Sequence, residues 1–138
     1  MLASLVRFFT RSWQNSAFSA ASTTTKLPMR VQEAKPVVVL TTLGESTDAA
    51  AFARVLVADR LAACVNVLPP MTSLYRWKGA IEEDREQQRV IKTTRDRVSA
   101  IEARFHELHP YELPEFVVLS AEASTAYLRW LRESVGET

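Results

Sequence analysis

From residue 36 onward the apolar positions follow two rhythms, and each change of rhythm marks an element. Val37-Val38-Val39-Leu40, with Thr41 and Thr42 behind it, is a continuous β-branched run. That is the pattern of a central strand covered on both faces, and it ends at Leu43-Gly44. Ser46 is placed to cap a helix that runs to about Arg60. Its apolar face carries Ala49, Phe52, Ala53 and Leu56, and Asp48, Arg54 and Asp59 face solvent. Ala62 to Val67 is apolar and extended until Pro69-Pro70 interrupts it. Proline cannot donate to a ladder, so a kink or bulge is expected there. The chain resumes as Thr72-Ser73-Leu74-Tyr75-Arg76-Trp77, and Lys78-Gly79 predicts a hairpin turn with glycine at positive φ. The return strand enters through Ile81-Glu82-Glu83-Asp84 and reaches Val90-Ile91-Lys92-Thr93.

The second helix has the clearest period. Val98, Ile101, Phe105 and Leu108 recur at helical spacing and Pro110 stops it. Pro114 precedes a last strand, Glu115 to Ser120. A third helix begins near Ser124, carries Tyr127, Leu128, Leu131 and Val135, and is released at Gly136. The order is strand, helix, strand, strand, helix, strand, plus one helix. This predicts an α+β, ferredoxin-like βαββαβ antiparallel sheet with an additional C-terminal helix. Helices on one face leave the other face bare, which argues for a homo-oligomer that covers it.

Residues 1–35 are unlike this body. Leu2, Leu5, Val6, Phe9 and Trp13 share one helical face opposite Arg7 and Arg11, and a Ser/Thr/Ala-rich run without acids follows from Ser16 to Thr25. A basic amphipathic start of this kind resembles a transit peptide, and the alternative is a disordered extension. A transit peptide would place the protein in a mitochondrion or chloroplast; otherwise the cytoplasm is expected. Residues 36–138 then form the folded domain. The formal charge of +1 hides a contrast: residues 1–35 hold five basic residues and one acid, while the body holds 12 basic and 15 acidic residues. An acidic body without a Lys/Arg stripe argues against nucleic acid as a partner. No apolar stretch is long enough for a transmembrane helix, and the single Cys64 allows no intrachain disulfide.

Candidate chemistry is sparse. The two histidines, His106 and His109, are three apart at one helix end and could approach the same side. A firm zinc or copper site wants three or four ligands, and Cys64 is a third by type only; a small buried hydrophobe is its commoner role. His109 stands out because Pro110-Tyr111 turns the chain directly after it, and such turns often line clefts. Glu82, Glu83 and Asp84 could gather a hard cation or form a solvated turn. Tyr75 and Trp77 alternate onto one strand face and could line a pocket or pack across strands. Lys92 could meet an anion or guard an edge. Phosphate loops and hydrolytic triads are missing, so no conventional enzyme is expected.

Several runs together resemble the divalent-cation tolerance (CutA) family: Arg60-Leu61-Ala62-Ala63-Cys64-Val65-Asn66-Val67-Leu68-Pro69, Thr72 to Gly79, Ile81-Glu82-Glu83-Asp84, Ile91-Lys92-Thr93-Thr94, His109-Pro110-Tyr111-Glu112 and Tyr127-Leu128-Arg129-Trp130-Leu131. The resemblance spans residues 37 to 135. It implies a ferredoxin-like subunit in a homotrimer whose strand edges pair between copies, a role in tolerance to copper and other divalent metals, weak binding of copper or another divalent cation, and no established catalytic reaction. It further implies a cleft at the subunit boundary drawing on His109, a metal ligand in this reading, and Tyr111, with Tyr75, Trp77, Glu83 and Lys92 as lining. The chain departs from the pattern at Gln87-Gln88-Arg89, where the family has apolar residues, so that surface is expected to be wetter. It departs again at Thr41, where some members have a cysteine; a copper site here is then weaker or built differently, because thiolate selects Cu(I). Two other readings stay open: a small-molecule or anion sensor acting as a signalling adaptor, and a scaffold that anchors another protein.

Overall fold

The computed structural model describes residues 34–136, so the expected targeting or disordered segment lies almost wholly outside the described residues. The elements are β1 (Pro36–Gly44), α1 (Ala49–Ala58), β2 (Cys64–Val67), β3 (Met71–Trp77), β4 (Ala80–Thr94), a 3-10 turn at Arg95–Arg97, α2 (Val98–Leu108), β5 (Val117–Ser120) and α3 (Thr125–Ser134). The sheet is antiparallel in the order β2-β4-β1-β5, and β3 also pairs with β4. This is the ferredoxin-like arrangement with an extra C-terminal helix. β2 and β3 run one after the other along β4, so the interruption at Pro69-Pro70 separates two parts of one edge.

Helix boundaries differ from the sequence reading for local reasons. The cap of α1 is Asp48, not Ser46: its carboxylate accepts the Ala51 N–H at 3.0 Å. The helix ends at Ala58, before Arg60, because Arg60 adopts a left-handed φ of 55° and the Leu61 and Ala62 amides then return to the Leu56 carbonyl. With Ala62 used in that closure, β2 begins at Cys64. At Lys78-Gly79 both residues have positive φ, 45° and 87°, the geometry of a two-residue hairpin turn. β5 begins at Val117, not Glu115; the ladder with β1 stops at Leu40↔Val117, and the next β1 carbonyl, of Thr41, accepts instead from Gln88 Nε2 at 3.0 Å.

The core lies between the sheet and the first two helices. Val39, Leu43 and Ile91 pack against Phe52, Leu56, Ala62, Ile101 and Phe105. Phe105 joins both helices to the sheet, with ring centroids 5.1 Å from Phe52 and 5.0 Å from Phe116. α3 packs against β4 and buries Leu131 and Val135. By register, Val38, Leu40, Val90, Val117 and Leu119 share the opposite face, and Val117 and Leu119 remain exposed. No helix among the described residues is long and apolar enough to cross a membrane.

The polar run Gln87-Gln88-Arg89 stays in register with β1. Gln88 reaches Thr41 O and Glu115 Oε2, and Gln87 Nε2 donates to Leu68 O at 3.3 Å. Arg89 is fully buried. Its Nη1 donates to the Gln87 carbonyl at 2.8 Å and the Leu43 carbonyl at 3.5 Å, while Nε and Nη2 have no hydrogen-bond partner among the described residues. The run is therefore half-buried and bonded to protein atoms at Gln87 and Gln88, and fully buried at Arg89.

Candidate functional site

The hairpin turn sets the site. With Trp77 opposite Ala80, the odd residues of β3 and the even residues of β4 share a face, so Tyr75 and Trp77 lie beside Asp84 and Glu86. That face and the loop from Pro110 to Glu115 enclose a cleft of about 790 Å³. Tyr75, Trp77 and Tyr111 line it. Glu83 does not: it pairs with Leu74 on the other face of the hairpin. Lys92 does not either, since its position opposite Val38 and Cys64 puts it in a separate recess of about 430 Å³ beside Tyr127 of α3.

Asp84, Glu86, Gln88, Glu112 and Glu115 also line this intrachain cleft and were not among the lining residues expected from the sequence. One signal was available. A two-residue turn at Lys78-Gly79 fixes the parity of β4, and it selects Asp84 and Glu86 over Glu83. The loop residues Glu112 and Glu115 carried no such signal. Gly44 has a role beyond ending β1: a Cβ there would stand 3.3 Å from the Tyr111 hydroxyl, so glycine leaves room for that ring.

His109 follows α2, and its amide donates to the Phe105 carbonyl at 2.8 Å. The imidazole bridges two backbone groups. The Tyr111 N–H donates to Nδ1 at 3.2 Å, so Nδ1 is the acceptor and Nε2–H donates to the Thr42 carbonyl at 2.8 Å. This holds the ring neutral in one tautomer. It packs at 6.1 Å from Phe105 and 4.9 Å from Tyr111. Burial pushes its pKa below the ordinary value; the Thr42 carbonyl opposes that, the Arg89 charge adds to it, and Glu86 opposes it again. The one lone pair that could meet a cation is on Nδ1, where the cation must displace the Tyr111 amide. His106 is exposed on α2. No three His, Cys, Asp or Glu side chains among the described residues are placed to hold a metal ion together.

Two phenol–carboxylate pairs stand side by side in the cleft. The Tyr75 hydroxyl donates to Asp84 Oδ2, diagonally across the hairpin. That bond, more than any other cause, raises Tyr75 to about 12. Tyr111 also rises to about 12, chiefly through burial and then through its hydrogen bond to Glu86. Both folded values lie above the unfolded 10.0, so stabilisation by the neutral phenols is complete below pH 10.0 and is lost as pH rises toward about 12. In a spectrophotometric phenolate titration, Asp84→Asn should return one tyrosine toward 10.0. An unchanged curve would mean that the Asp84 bond does not set Tyr75.

Comparison with known proteins adds to this geometry. The family model described as "CutA1 divalent ion tolerance protein" matches residues 37–134. A curated relative, the divalent-cation tolerance protein CutA of Thermus thermophilus, is 46% identical over 100 residues, covering 72% of this chain and 97% of that protein. Human Protein CutA is 46% identical over 83 residues, which are 59% of this chain and only 46% of the human protein. Among solved structures, the T. thermophilus Cut A1 protein superposes with a TM-score of 0.70 at 45% identity, covering 73% of this chain and 99% of that one.

Proposed function

The chain belongs to the CutA1 divalent ion tolerance family, and on that premise we propose that it acts as a homotrimer that binds copper or another divalent cation weakly, without chemistry on a substrate. The observation that carries this reading is the His109-Pro110-Tyr111 turn beside an acidic cleft. His109 is neutral, its Nδ1 lone pair is held only by a 3.2 Å amide contact, and Tyr111 carries the turn into the cleft wall beside Glu86. A cation arriving at Nδ1 gains one imidazole and must break the Tyr111 contact, which supports weak binding. Thr41 supplies no thiolate nearby, and Cys64 stands on β2 opposite Lys92.

Assembly into three copies is supported by unpaired edges and exposed apolar side chains. Among the described residues β3 has β4 as its one strand neighbour and β5 has β1. Leu74 is 67% exposed and Ile81 72% exposed on the same face of the hairpin. Such an edge is a template for pairing with another chain, and burying these side chains in a neighbour stabilises both. Glu83 and Lys92, outside the intrachain cleft, become lining only if a second copy brings them to it.

Native mass spectrometry of the full chain, with and without Cu(II), should give a trimer and a sub-saturated copper adduct. His109→Ala is expected to abolish the adduct and leave the trimer. Copper uptake unchanged in that variant would remove His109 as a ligand, and a monomer at micromolar concentration would remove the trimer.

A further inference from the structure

The carboxylates of the cleft are arranged for something other than a metal ion. Asp84, Glu86, Glu112 and Glu115 line it, against Arg76 as the one basic lining residue among the described residues. They are dispersed, for no three of them converge on one point. Glu86 is 6% exposed, and no ion pair among the described residues includes it. The donors that reach Asp84 and Glu115 are neutral, the Tyr75 hydroxyl and Gln88 Nε2, and the group beside Glu86 is the neutral Tyr111 phenol. A neutral donor satisfies an oxygen and leaves the charge, and a buried charge ordinarily has a counter-charge. Glu86 has none among the described residues.

The fourth carboxylate shows what such a counter-charge looks like. The Lys78 ammonium sits 5.3 Å from the Trp77 ring centroid and 3.2 Å from Glu112 Oε2. An alkylammonium between an aromatic face and a carboxylate is a recurrent cation-binding arrangement. Tyr75 and Tyr111 offer further ring faces beside Asp84 and Glu86, in a space of about 790 Å³, the size of an organic ligand site. We propose that this cleft binds a linear organic polyammonium ion, one ammonium seated at Glu86 and the others reaching the carboxylates spread along the wall. The inference goes beyond the divalent-cation reading: it places the ligand at Glu86 and the aromatic faces, and leaves His109 Nδ1 to a metal.

The test is calorimetric titration of the full chain at low ionic strength with spermidine, and with Mg²⁺ and tetramethylammonium as comparisons. Saturable spermidine binding is expected, with tetramethylammonium much weaker because it has no N–H to donate. Glu86→Gln keeps the acceptor for Tyr111 and removes the charge; it should weaken spermidine by about tenfold or more, the scale of one hydrogen bond to a charged group. If that variant does not fold, Asp84→Asn on the exposed hairpin carries the test, with a several-fold loss expected. Lys78→Met removes the internal competitor and should tighten binding. No saturable binding, Mg²⁺ displacing spermidine at equal concentration, or affinity unchanged in the carboxylate variant that folds would each overturn the proposal. Copper uptake and its loss in His109→Ala are read separately, so either idea can fail alone.

Discussion

Phe105→Ala is expected to cost about 3–5 kcal/mol of folding stability, the range for truncating a fully buried aromatic side chain. Phe105 is 1% exposed and touches Phe52 of α1, Phe116 before β5 and the His109 ring. Deleting it removes apolar burial and also leaves a cavity at the point where both helices meet the sheet. Collapse around that cavity is limited because Val39, Leu56, Ile91 and Ile101 are themselves fully buried and held by strand and helix geometry. Denaturant unfolding at fixed protein concentration measures the loss, with Leu108→Ala as control. Leu108 is 39% exposed on the same helix and should cost far less. Equal losses for the two would show that Phe105 is not the joint between the layers.

Arg89→Met should have the opposite sign, stabilising the protein by up to about 1–4 kcal/mol, the range for replacing a buried ion pair by apolar side chains of similar volume. Removing the guanidinium from water is costly, and it is repaid here only by two backbone carbonyls, with Nε and Nη2 unpartnered. Burial pulls its pKa below the ordinary value, with an opposing contribution from Tyr111. The same substitution has a second readout at His109, whose pKa is lowered first by burial and also by the Arg89 charge. Without that charge the His109 pKa should rise.

The consequence for pH follows from that sign. A histidine held neutral below its unfolded pKa contributes fully above pH 6.5, and its contribution is lost as pH falls from 6.5 through the folded value. Arg89→Met should narrow that window and reduce the acid-side loss. Histidine-resolved NMR titration beside the denaturation series measures both effects. A destabilised variant would mean that the bonds to the Leu43 and Gln87 carbonyls outweigh the desolvation cost.

Much of the fold was legible because it rests on local rules. The β-branched run of β1, the period of α2 stopped by Pro110, and the Lys78-Gly79 turn each follow from the residues within a few positions. Where two local solutions compete, contacts at longer range chose between them. Ser46 and Asp48 are both good caps, and Asp48 won because the turn after β1 carries the Thr47 amide back to Gly44. The site was legible in part. Tyr75, Trp77 and Tyr111 line one cleft of the chain, while the register of the turn puts Glu83 on the other face of the hairpin.

By itself, the sequence determined the element order, the ferredoxin-like topology and the kind of residues available, because periodicity and turn chemistry act over a few residues. Which of them meet was decided by the tertiary structure. The β4 register brought Asp84 and Glu86 beside Tyr75 and Tyr111, and the fold back from α2 set both nitrogens of His109 on backbone partners. Arg89, which reads as a polar break in an apolar strand, is a buried charge in the fold, where the Leu43 and Gln87 carbonyls receive it and His109 and Tyr111 lie near enough to feel it. Charge and donor type are properties of a residue; desolvation and partnership are properties of its neighbours.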